Sequence, residues 1–421
     1  MVASVGKSEI VTGLDIGTTK VCALIAEVSE SGEPTLIGAG SSVSRGLRRG
    51  VVVDIESTTR AIEEAVTKAA TQANREVDSV YVGVTGDHIA SLNSSGIVPI
   101  TRPDREITRE DVERVNEQAR VIVLPPDRQI LHAIPRAYSV DGQGGVRQPV
   151  GMSGTRLEVQ THIVHGAVTF LQNVEKCVVK AGLEVADAVL EPIASGEAVL
   201  LPTERELGVC LVDIGGGTSD IAVFYGGEIY YSAVVPVGGN HITNDIAEGL
   251  KVGQPEAERL KVQHGSALTD MVQEDEVISV HQVGRDEARK LRRRAMAQII
   301  EPRMQELFEL VRHELSEGDC LNRIPFGLVI SGGGSQLRNV VEVAQQVMGL
   351  PCRIGRPSGI AGLSDALTHP MYATAVGLVL YGAHQVAAGR HPGGGGVNLG
   401  RLKSLTPLMK WWARLREILG I

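Results

Sequence analysis

One short pattern occurs twice in this chain, once near the start and once near the middle. The two copies are Leu14-Asp15-Ile16-Gly17-Thr18-Thr19-Lys20 and Val212-Asp213-Ile214-Gly215-Gly216-Gly217-Thr218. In each copy an apolar run leads to an aspartate, a turn of glycine and hydroxyl residues follows, and a second apolar run begins. Internal repetition constrains a fold more strongly than a single motif does, because it predicts two equivalent units.

The elements that flank the two turns follow the same order in both parts of the chain. In the first part, apolar and β-branched runs between glycine and serine clusters predict strands over 9–17, 20–28, 34–43 and 80–84 and a helix over 56–73. In the second part, the same signals predict strands near 207–214, 218–225, 228–237 and 326–331, and helices near 239–250, 254–264, 285–315 and from Gln336. This order predicts a duplicated α/β fold whose two lobes enclose a cleft, since ligands of such sheets bind beyond the strand ends.

Each predicted lobe carries an insert. The lobe cores are assigned to 1–86 with 164–206, and to 207–239 with 316–388. The first insert, 87–163, is predicted to hold strands near 88–100 and 129–140 around a charged helix over 109–120, and the second, 240–315, is predicted to be largely helical. Glycine-rich residues 389–403 are predicted to form a flexible linker, because they lack the apolar side chains of a core. Residues 404–421 then form a separate element.

Bulk composition excludes several classes of protein. A formal net charge of -9 argues against a nucleic-acid-coating protein, whose surface would be basic. The cysteines are odd in number and form no C-x-x-C pair, which predicts reduced thiols in a cytoplasmic protein. The start of the chain lacks the apolar region of a signal peptide. The longest apolar stretch, Tyr372 to Ala388, is interrupted by polar residues and predicts a buried helix rather than a membrane span.

The residue types in the two turns suit a phosphate ligand and a metal ion. Glycine lets backbone N–H groups approach an anion closely, threonine adds hydroxyl donors, and lysine adds a positive charge for a β- or γ-phosphate. The candidate phosphate residues are Gly17, Thr18, Thr19, Lys20, Gly215, Gly216, Gly217 and Thr218. Asp15 and Asp213 are candidates to hold Mg²⁺, directly or through water. A single such turn is usually an ordinary hairpin, whereas two in equivalent units favour nucleotide binding; the absence of a G-x-x-x-x-G-K-[ST] sequence excludes a P-loop NTPase.

Further candidates for the nucleotide site lie in the second part of the chain. Gly332, Gly333 and Gly334 follow a predicted strand and precede a helix, a step that brings backbone against a planar or anionic ligand, although a plain tight turn is the alternative. Glu258 and Lys261 lie one helical turn apart and project from one face, either toward a ribose or adenine or as an exposed ion pair. Gly239, which opens the helix predicted over 239–250, is assigned to the same site.

These elements in this order resemble the superfamily of actin, sugar kinases and heat-shock chaperones. The resemblance implies an actin-like (ribonuclease-H-like) fold, in which the two Asp-Gly turns are the phosphate motifs and Gly332–Gly334 is the adenosine motif. The run Glu191-Pro192-Ile193-Ala194-Ser195-Gly196 resembles the first connecting helix of that fold. The run Tyr372-Ala373-Thr374-Ala375-Val376-Gly377 resembles the second.

Within this superfamily, the chain resembles the FtsA family of bacterial cell-division actin homologues over residues 8–421. The distinctive runs are Gly46-Leu47-Arg48-Arg49-Gly50-Val51-Val52-Val53-Asp54 and Gly151-Met152-Ser153-Gly154-Thr155-Arg156-Leu157. The resemblance implies ATP and Mg²⁺ as ligands, with Glu191 positioning the attacking water and hydrolysis at most weak, so that the protein is an adaptor rather than an enzyme. It also implies self-association through 87–163 into filaments, contacts with other division proteins, and binding of the FtsZ C-terminal tail by the helical insert. Arg292, Arg293 and Arg294 are candidate docking residues by this resemblance alone.

The C-terminal segment has the pattern of an interfacial helix. Leu405, Leu408, Trp412, Leu415 and Leu419 recur at the spacing of one helix face, Trp411 widens that face, and Lys410 and Arg414 lie opposite it or at its edge. Tryptophan prefers the membrane interface, and the positive charges favour anionic lipids. The pattern predicts peripheral binding to a membrane surface. The resemblance implies that this surface is the cytoplasmic face of the inner membrane, at the division septum. The alternative is a helix docked on the protein's own core.

The combined interpretation is an ATP-binding, actin-like cell-division protein that polymerises on the membrane and anchors the FtsZ ring there. Two alternatives belong to the same superfamily. A pilus-assembly ATPase is disfavoured by the amphipathic C-terminus, and a small-molecule kinase would need an acidic base and a substrate pocket in the inserts. A chaperone would need a long substrate domain after the second lobe.

Overall fold

The computed structural model of the protein describes residues 9–284 and 287–389. The predicted linker beyond Gly389 and the amphipathic helix over 404–421 lie outside the described residues. The chain opens with β1 (Glu9–Ile16), β2 (Lys20–Val28), β3 (Pro34–Val43), the short strands β4 (Leu47–Arg48) and β5 (Val51–Val52), helix α1 (Ile55–Ala73) and β6 (Ser79–Val84). Helix α1 begins where the Asp54 carboxylate accepts a hydrogen bond from Ser57 N at 3.1 Å and ends at Asn74, which adopts the left-handed conformation.

The first insert is a four-stranded antiparallel sheet with one helix. Its elements are β7 (Ala90–Pro99), α2 (Arg109–Ala119), β8 (Arg128–Val140), β9 (Gln143–Val146) and β10 (Arg156–Ala167), in the sheet order β7-β10-β8-β9. Helix α2 covers one face and shares a small buried core with the sheet. Strand β10 stays paired with β8 as far as Ala167, beyond the boundary predicted at residue 163.

The chain then returns to the first lobe through α3 (Val168–Lys180), β11 (Glu184–Leu190), α4 (Glu191–Val199) and α5 (Pro202–Leu207). The second lobe consists of β12 (Val209–Ile214), β13 (Ser219–Tyr225), β14 (Glu228–Val235), α6 (Gly239–Leu250), α7 (Gln254–His264), β15 (Val277–Val280), β16 (Arg289–Arg292), α8 (Arg293–Glu317), β17 (Leu328–Ser331), α9 (Val340–Met348), β18 (Cys352–Ile354) and α10 (Ala373–Ala387). The two lobe sheets have the orders β11-β6-β1-β2-β3 and β18-β17-β12-β13-β14, which are equivalent. The predicted duplicated α/β fold is therefore confirmed.

The long helix predicted over 285–315 is wrong at its start. Residues Arg289–Arg292 pair with Val277–Val280 in a two-stranded hairpin, so α8 begins only at Arg293 and continues to Glu317. The boundary predicted at 315 consequently lies inside α8. The helix predicted from Gln336 begins at Val340, after a short 3-10 turn over Gly333–Gln336.

Helices α4 and α10 cross between the lobes. A Cβ added to Gly377 on α10 would lie 1.8 Å from the Ala194 carbonyl oxygen on α4, so a residue without a side chain permits this close crossing. Most of α10 is buried, as predicted from its interrupted apolar run. No helix in the described part of the chain has the length and hydropathy needed to cross a membrane. The crossing places the first residues of both helices beside the cleft.

Candidate functional site

The two Asp-Gly turns have the same backbone and touch each other. In the β1–β2 turn the Gly17 N–H donates to the Lys20 carbonyl at 3.0 Å, and in the β12–β13 turn the Gly215 N–H donates to the Thr218 carbonyl at 2.9 Å. A Cβ added to Gly216 would lie 2.7 Å from Thr19 Cγ2, so the turns approach within van der Waals contact. The structure thus brings the repeated motifs of both lobes together at one cleft.

The two aspartates of the repeat have different surroundings. Asp213 accepts hydrogen bonds from the hydroxyls of Ser195 on α4, at 2.5 Å, and Thr374 on α10, at 3.4 Å. Burial raises the pKa of Asp213, and the two hydroxyls oppose that rise. The Asp15 carboxylate has no hydrogen bond to any described residue, and burial raises its pKa to about 6, with Lys20 opposing and Asp213 adding to the rise.

Two more buried carboxylates adjoin these aspartates. Burial raises the pKa of Asp220, on β13, to about 7, although the Thr85 hydroxyl donates a hydrogen bond to this carboxylate. Burial, and then the neighbouring Asp15, also raise the pKa of Glu191 well above its ordinary value. Glu191 Oε1 is buried with no hydrogen-bond partner among the described residues. An unpartnered buried oxygen beside three further acids suits a site that is completed by a cation and its water.

No group of three or more histidine, cysteine or acidic side chains in the described residues is close enough to hold a metal ion. The described residues therefore do not form a metal site built from protein side chains alone. Magnesium commonly keeps several waters and takes one or two carboxylates together with phosphate oxygens. Asp15 and Asp213, with a phosphate ligand between the turns, fit this mode of binding.

Lys20 contacts the segment that precedes α10. Its Nζ donates to the Met371 carbonyl at 2.7 Å and lies 3.8 Å from the centre of the Tyr372 ring. The ammonium therefore already has a carbonyl partner and an aromatic face in this structure. The sequence assigned it to a phosphate, a role that would require it to leave or share these partners.

The predicted nucleoside residues gather beside the second turn. Lys261 Nζ donates to the Gly239 carbonyl at 3.0 Å and pairs with Glu258 at 2.7 Å, while the Gly239 N–H donates to the Gly215 carbonyl at 2.9 Å. A Cβ added to Gly332 would lie 2.3 Å from Asp213 Oδ1. A Cβ added to Gly333 would meet nothing within 4 Å, so this residue of the glycine cluster borders open space.

The basic run at the start of α8 lies in the helical insert. Arg293 is buried, donates from Nε to the His264 carbonyl at 2.7 Å and pairs with Glu276 at 2.6 Å. Arg294 pairs with Asp270 at 2.8 Å, and Arg292 is exposed on β16. Because the Arg293 side chain is buried and bonded to other residues of the insert, it is not exposed on the predicted docking surface. The predicted membrane residues lie outside the described part of the chain.

Sequence reasoning missed several residues of this site. Ser195 and Thr374 lie in runs that were recognised only as connecting helices. Asp220 carried a usable signal, because an acidic residue within an otherwise apolar strand is expensive to bury without a role. Thr85 offered no signal, since its partner is distant in sequence.

Comparison with known proteins places this geometry in a family. The family model "Cell division protein FtsA" matches residues 210–377, and the model "SHS2 domain inserted in FTSA" matches residues 86–165, the first insert. The cell division protein FtsA of Pseudomonas aeruginosa is 46% identical over 387 residues, which cover 92% of this chain and 92% of that protein.

Solved structures share the fold at much lower identity. A PilM-PilN type IV pilus biogenesis complex matches with a TM-score of 0.65 and 20% identity, covering 89% of this chain and 98% of that one. MreB5 of Spiroplasma citri bound to ADP matches with a TM-score of 0.54 and 17% identity, covering 90% and 98%. These likenesses establish the two-lobe fold alone.

Proposed function

The chain belongs to the FtsA family of cell division proteins, and from that premise we propose that it binds ATP with Mg²⁺ and anchors the FtsZ ring to the membrane. It is an actin-like cell division protein. The chain shares its fold with the PilM-PilN pilus biogenesis complex at only 20% sequence identity. Its sequence identity to the cell division protein FtsA of Pseudomonas aeruginosa is 46%.

The observation that carries nucleotide binding is the contact between the two Asp-Gly turns, with buried acids behind them. The N–H groups of Gly17 and Gly215 close the turns, and the remaining backbone N–H groups of the turns, with the hydroxyls of Thr18 and Thr218, are the donors that a polyphosphate needs. Asp15 and Asp213 would hold Mg²⁺ through water, and the ion, when bound, offsets the negative charge of phosphates and carboxylates. MreB5, which shares this fold, was solved bound to ADP, and this supports a nucleotide as the ligand here.

Hydrolysis is proposed to be weak, so that nucleotide acts mainly as a switch for assembly. Glu191 is the one candidate to position water. Positioning without further stabilisation of transition-state charge gives modest rates.

Assembly and anchoring are assigned to the parts outside the two lobe cores. We call the pair of touching Asp-Gly turns, 14–20 and 212–218, the clamp. The first insert has its own core and contributes no residue to the clamp, which supports self-association through this subdomain. The pattern of residues 404–421 supports peripheral attachment to anionic lipid at the cytoplasmic face of the inner membrane. Binding of the FtsZ tail by the helical insert and contacts with other division proteins rest on family membership, and placement at the septum follows from them.

Liposome co-sedimentation tests the proposal. The full chain with Mg²⁺ and ATP should sediment with anionic liposomes and carry FtsZ with it, while a chain that ends before residue 404 should stay in the supernatant. Trp412→Glu should also stay in the supernatant, since a charge on the apolar face costs a few kcal/mol, or about a hundredfold in partitioning. Lys410→Gln removes one charge but keeps the apolar face, so it should weaken sedimentation much less than Trp412→Glu does. Sedimentation of the truncated chain would overturn the anchoring proposal.

A further inference from the structure

The tip of a small hairpin touches both phosphate turns. Strands β4 and β5 are joined by Arg49 and Gly50, and the Gly50 N–H donates to Thr18 Oγ1 at 3.2 Å. A Cβ added to Gly217 would lie 2.8 Å from the Arg49 Cα, so the hairpin backbone lies directly on the second turn. The hairpin therefore forms a third wall of the clamp.

This hairpin is held rigidly at its base. Gly46 O accepts hydrogen bonds from Val53 N at 2.8 Å and Asp54 N at 3.1 Å, and Asp54 also caps α1. The tip is thus tied to a helix of the lobe core. Its position relative to the turns is set by the fold rather than by a loose loop.

Arg49 holds an unfavourable backbone conformation at this tip. Its φ is 51° and that of Gly50 is 74°, as a two-residue hairpin loop with positive φ at both positions requires. Asparagine, aspartate or glycine normally fills the first of these positions, because a longer side chain is disfavoured there. A strained residue in contact with a candidate ligand site points to a role for its side chain.

The Arg49 side chain is exposed and forms no ion pair or hydrogen bond with any described residue. Two other cations near the turns already have partners: Lys20 donates to Met371 O, and Lys261 pairs with Glu258. A triphosphate adds a terminal group with further negative charge, which a planar guanidinium can bind through two parallel hydrogen bonds. Arg49 is therefore a guanidinium at the hairpin tip without a partner among the described residues.

The order of contacts along the second turn indicates which phosphate Arg49 meets. Gly215, at one end of the turn, is bonded to Gly239 on the nucleoside side, whereas Gly217, at the other end, touches Arg49. A chain of phosphates that starts at the nucleoside side and crosses the turn reaches Arg49 last. ADP, which is one phosphate shorter, ends before it.

We propose that Arg49 binds the terminal phosphate and makes the cleft prefer ATP to ADP. The inference rests on the proposed nucleotide function and adds the residue that distinguishes the two nucleotides. Because this arginine is carried by the first lobe and the nucleoside residues by the second, binding of its side chain to the third phosphate adds a further link between the lobes.

Calorimetric titration of the full chain with Mg²⁺ and ATP, a non-hydrolysable ATP analogue or ADP tests the inference. Arg49→Asn keeps the favoured backbone conformation and removes the charge, so it should weaken ATP and analogue binding about tenfold to a hundredfold and change ADP binding by less than about threefold. Arg49→Lys keeps charge without the planar fork and should fall between wild type and Arg49→Asn. Arg45→Asn removes the same charge from an exposed position outside the hairpin and is the matched control, with both affinities retained.

Thermal unfolding without nucleotide should give the same midpoint for Arg49→Asn as for wild type, or a higher one, which separates a binding defect from a folding defect. If Arg49→Asn aggregates, the Arg49→Lys titration carries the test by itself. An unchanged ratio of ATP to ADP affinity in the Arg49 variants overturns the inference, as does an equal loss in Arg45→Asn. A wild-type chain that binds neither nucleotide overturns the proposed function instead.

Discussion

The first and second Asp-Gly turns share a backbone but differ in what surrounds it. Both aspartates occupy the same register position, yet Asp15 lies opposite Cys22 on its neighbouring strand, and Asp213 lies opposite Asp220. Both connecting helices donate a hydroxyl to Asp213, through Ser195 and Thr374, and neither donates one to Asp15.

The difference shows that the duplicated fold has specialised its two halves. The second turn is preorganised, since its carboxylate is already oriented by fixed donors. The first turn presents a desolvated carboxylate without such donors, so its charge is satisfied only when a cation or water arrives. The repeated backbone supplies the clamp, and residues outside the repeat divide its roles.

The largest expected effect separates the two aspartates. Asp213→Ala should lower the affinity for Mg²⁺ with ATP about a hundredfold, because it removes the carboxylate that the Ser195 and Thr374 hydroxyls already orient. Asp15→Ala should lower that affinity about tenfold, since the lost carboxylate is not oriented by hydrogen-bond donors in the free protein. Calorimetry measures both. Equal losses would contradict the division of roles, and unchanged affinities would contradict the metal assignment itself.

Substitutions at two neighbouring glycines test the surroundings of Asp213 through the free energy of unfolding. Gly332→Ala should lower the free energy of unfolding by about 1–3 kcal/mol, since φ is +81° and the new Cβ would lie 2.3 Å from Asp213 Oδ1. Gly333→Ala, the matched control, meets nothing within 4 Å and should change stability by less than about 0.5 kcal/mol. Urea unfolding without nucleotide measures both changes. A Gly332→Ala variant as stable as wild type would show that the second turn is not rigid.

The smallest expected effect is a pH dependence carried by Asp15. The folded-state pKa of Asp15 is raised to about 6, so its contribution to stability is fully present below the unfolded pKa, near 4, and is lost as pH rises through about 6. The nucleotide-free protein should therefore lose on the order of 1 kcal/mol between pH 4.5 and pH 7 from this group. Thermal midpoints across that range should fall less steeply in Asp15→Asn. Parallel profiles for variant and wild type would show that Asp15 is already satisfied without ligand.

Much of the fold follows from local signals that the chain carries. The helix predicted over 56–73 forms as α1 over Ile55–Ala73, because Asp54 caps it and its apolar residues recur at helical spacing. The strands beside both turns were predicted to within a few residues for a similar reason. The hairpin of β15 and β16 was missed, since pairing of Arg289–Arg292 with a segment several residues upstream overrides their helical pattern.

The repeat of an aspartate before a glycine turn was enough to establish two lobes, a cleft between them and the residue types that meet there. Local sequence determines such features because strand period, turn chemistry and helix caps act over a few residues. Only the tertiary structure showed that Ser195 and Thr374 donate hydrogen bonds to Asp213 and that Lys20 donates one to the Met371 carbonyl. It also showed that the hairpin tip at Arg49 packs against Gly217. These contacts join residues that are far apart in the chain. Burial and hydrogen bonding between them depend on how the lobes and connecting helices pack, which no local pattern encodes.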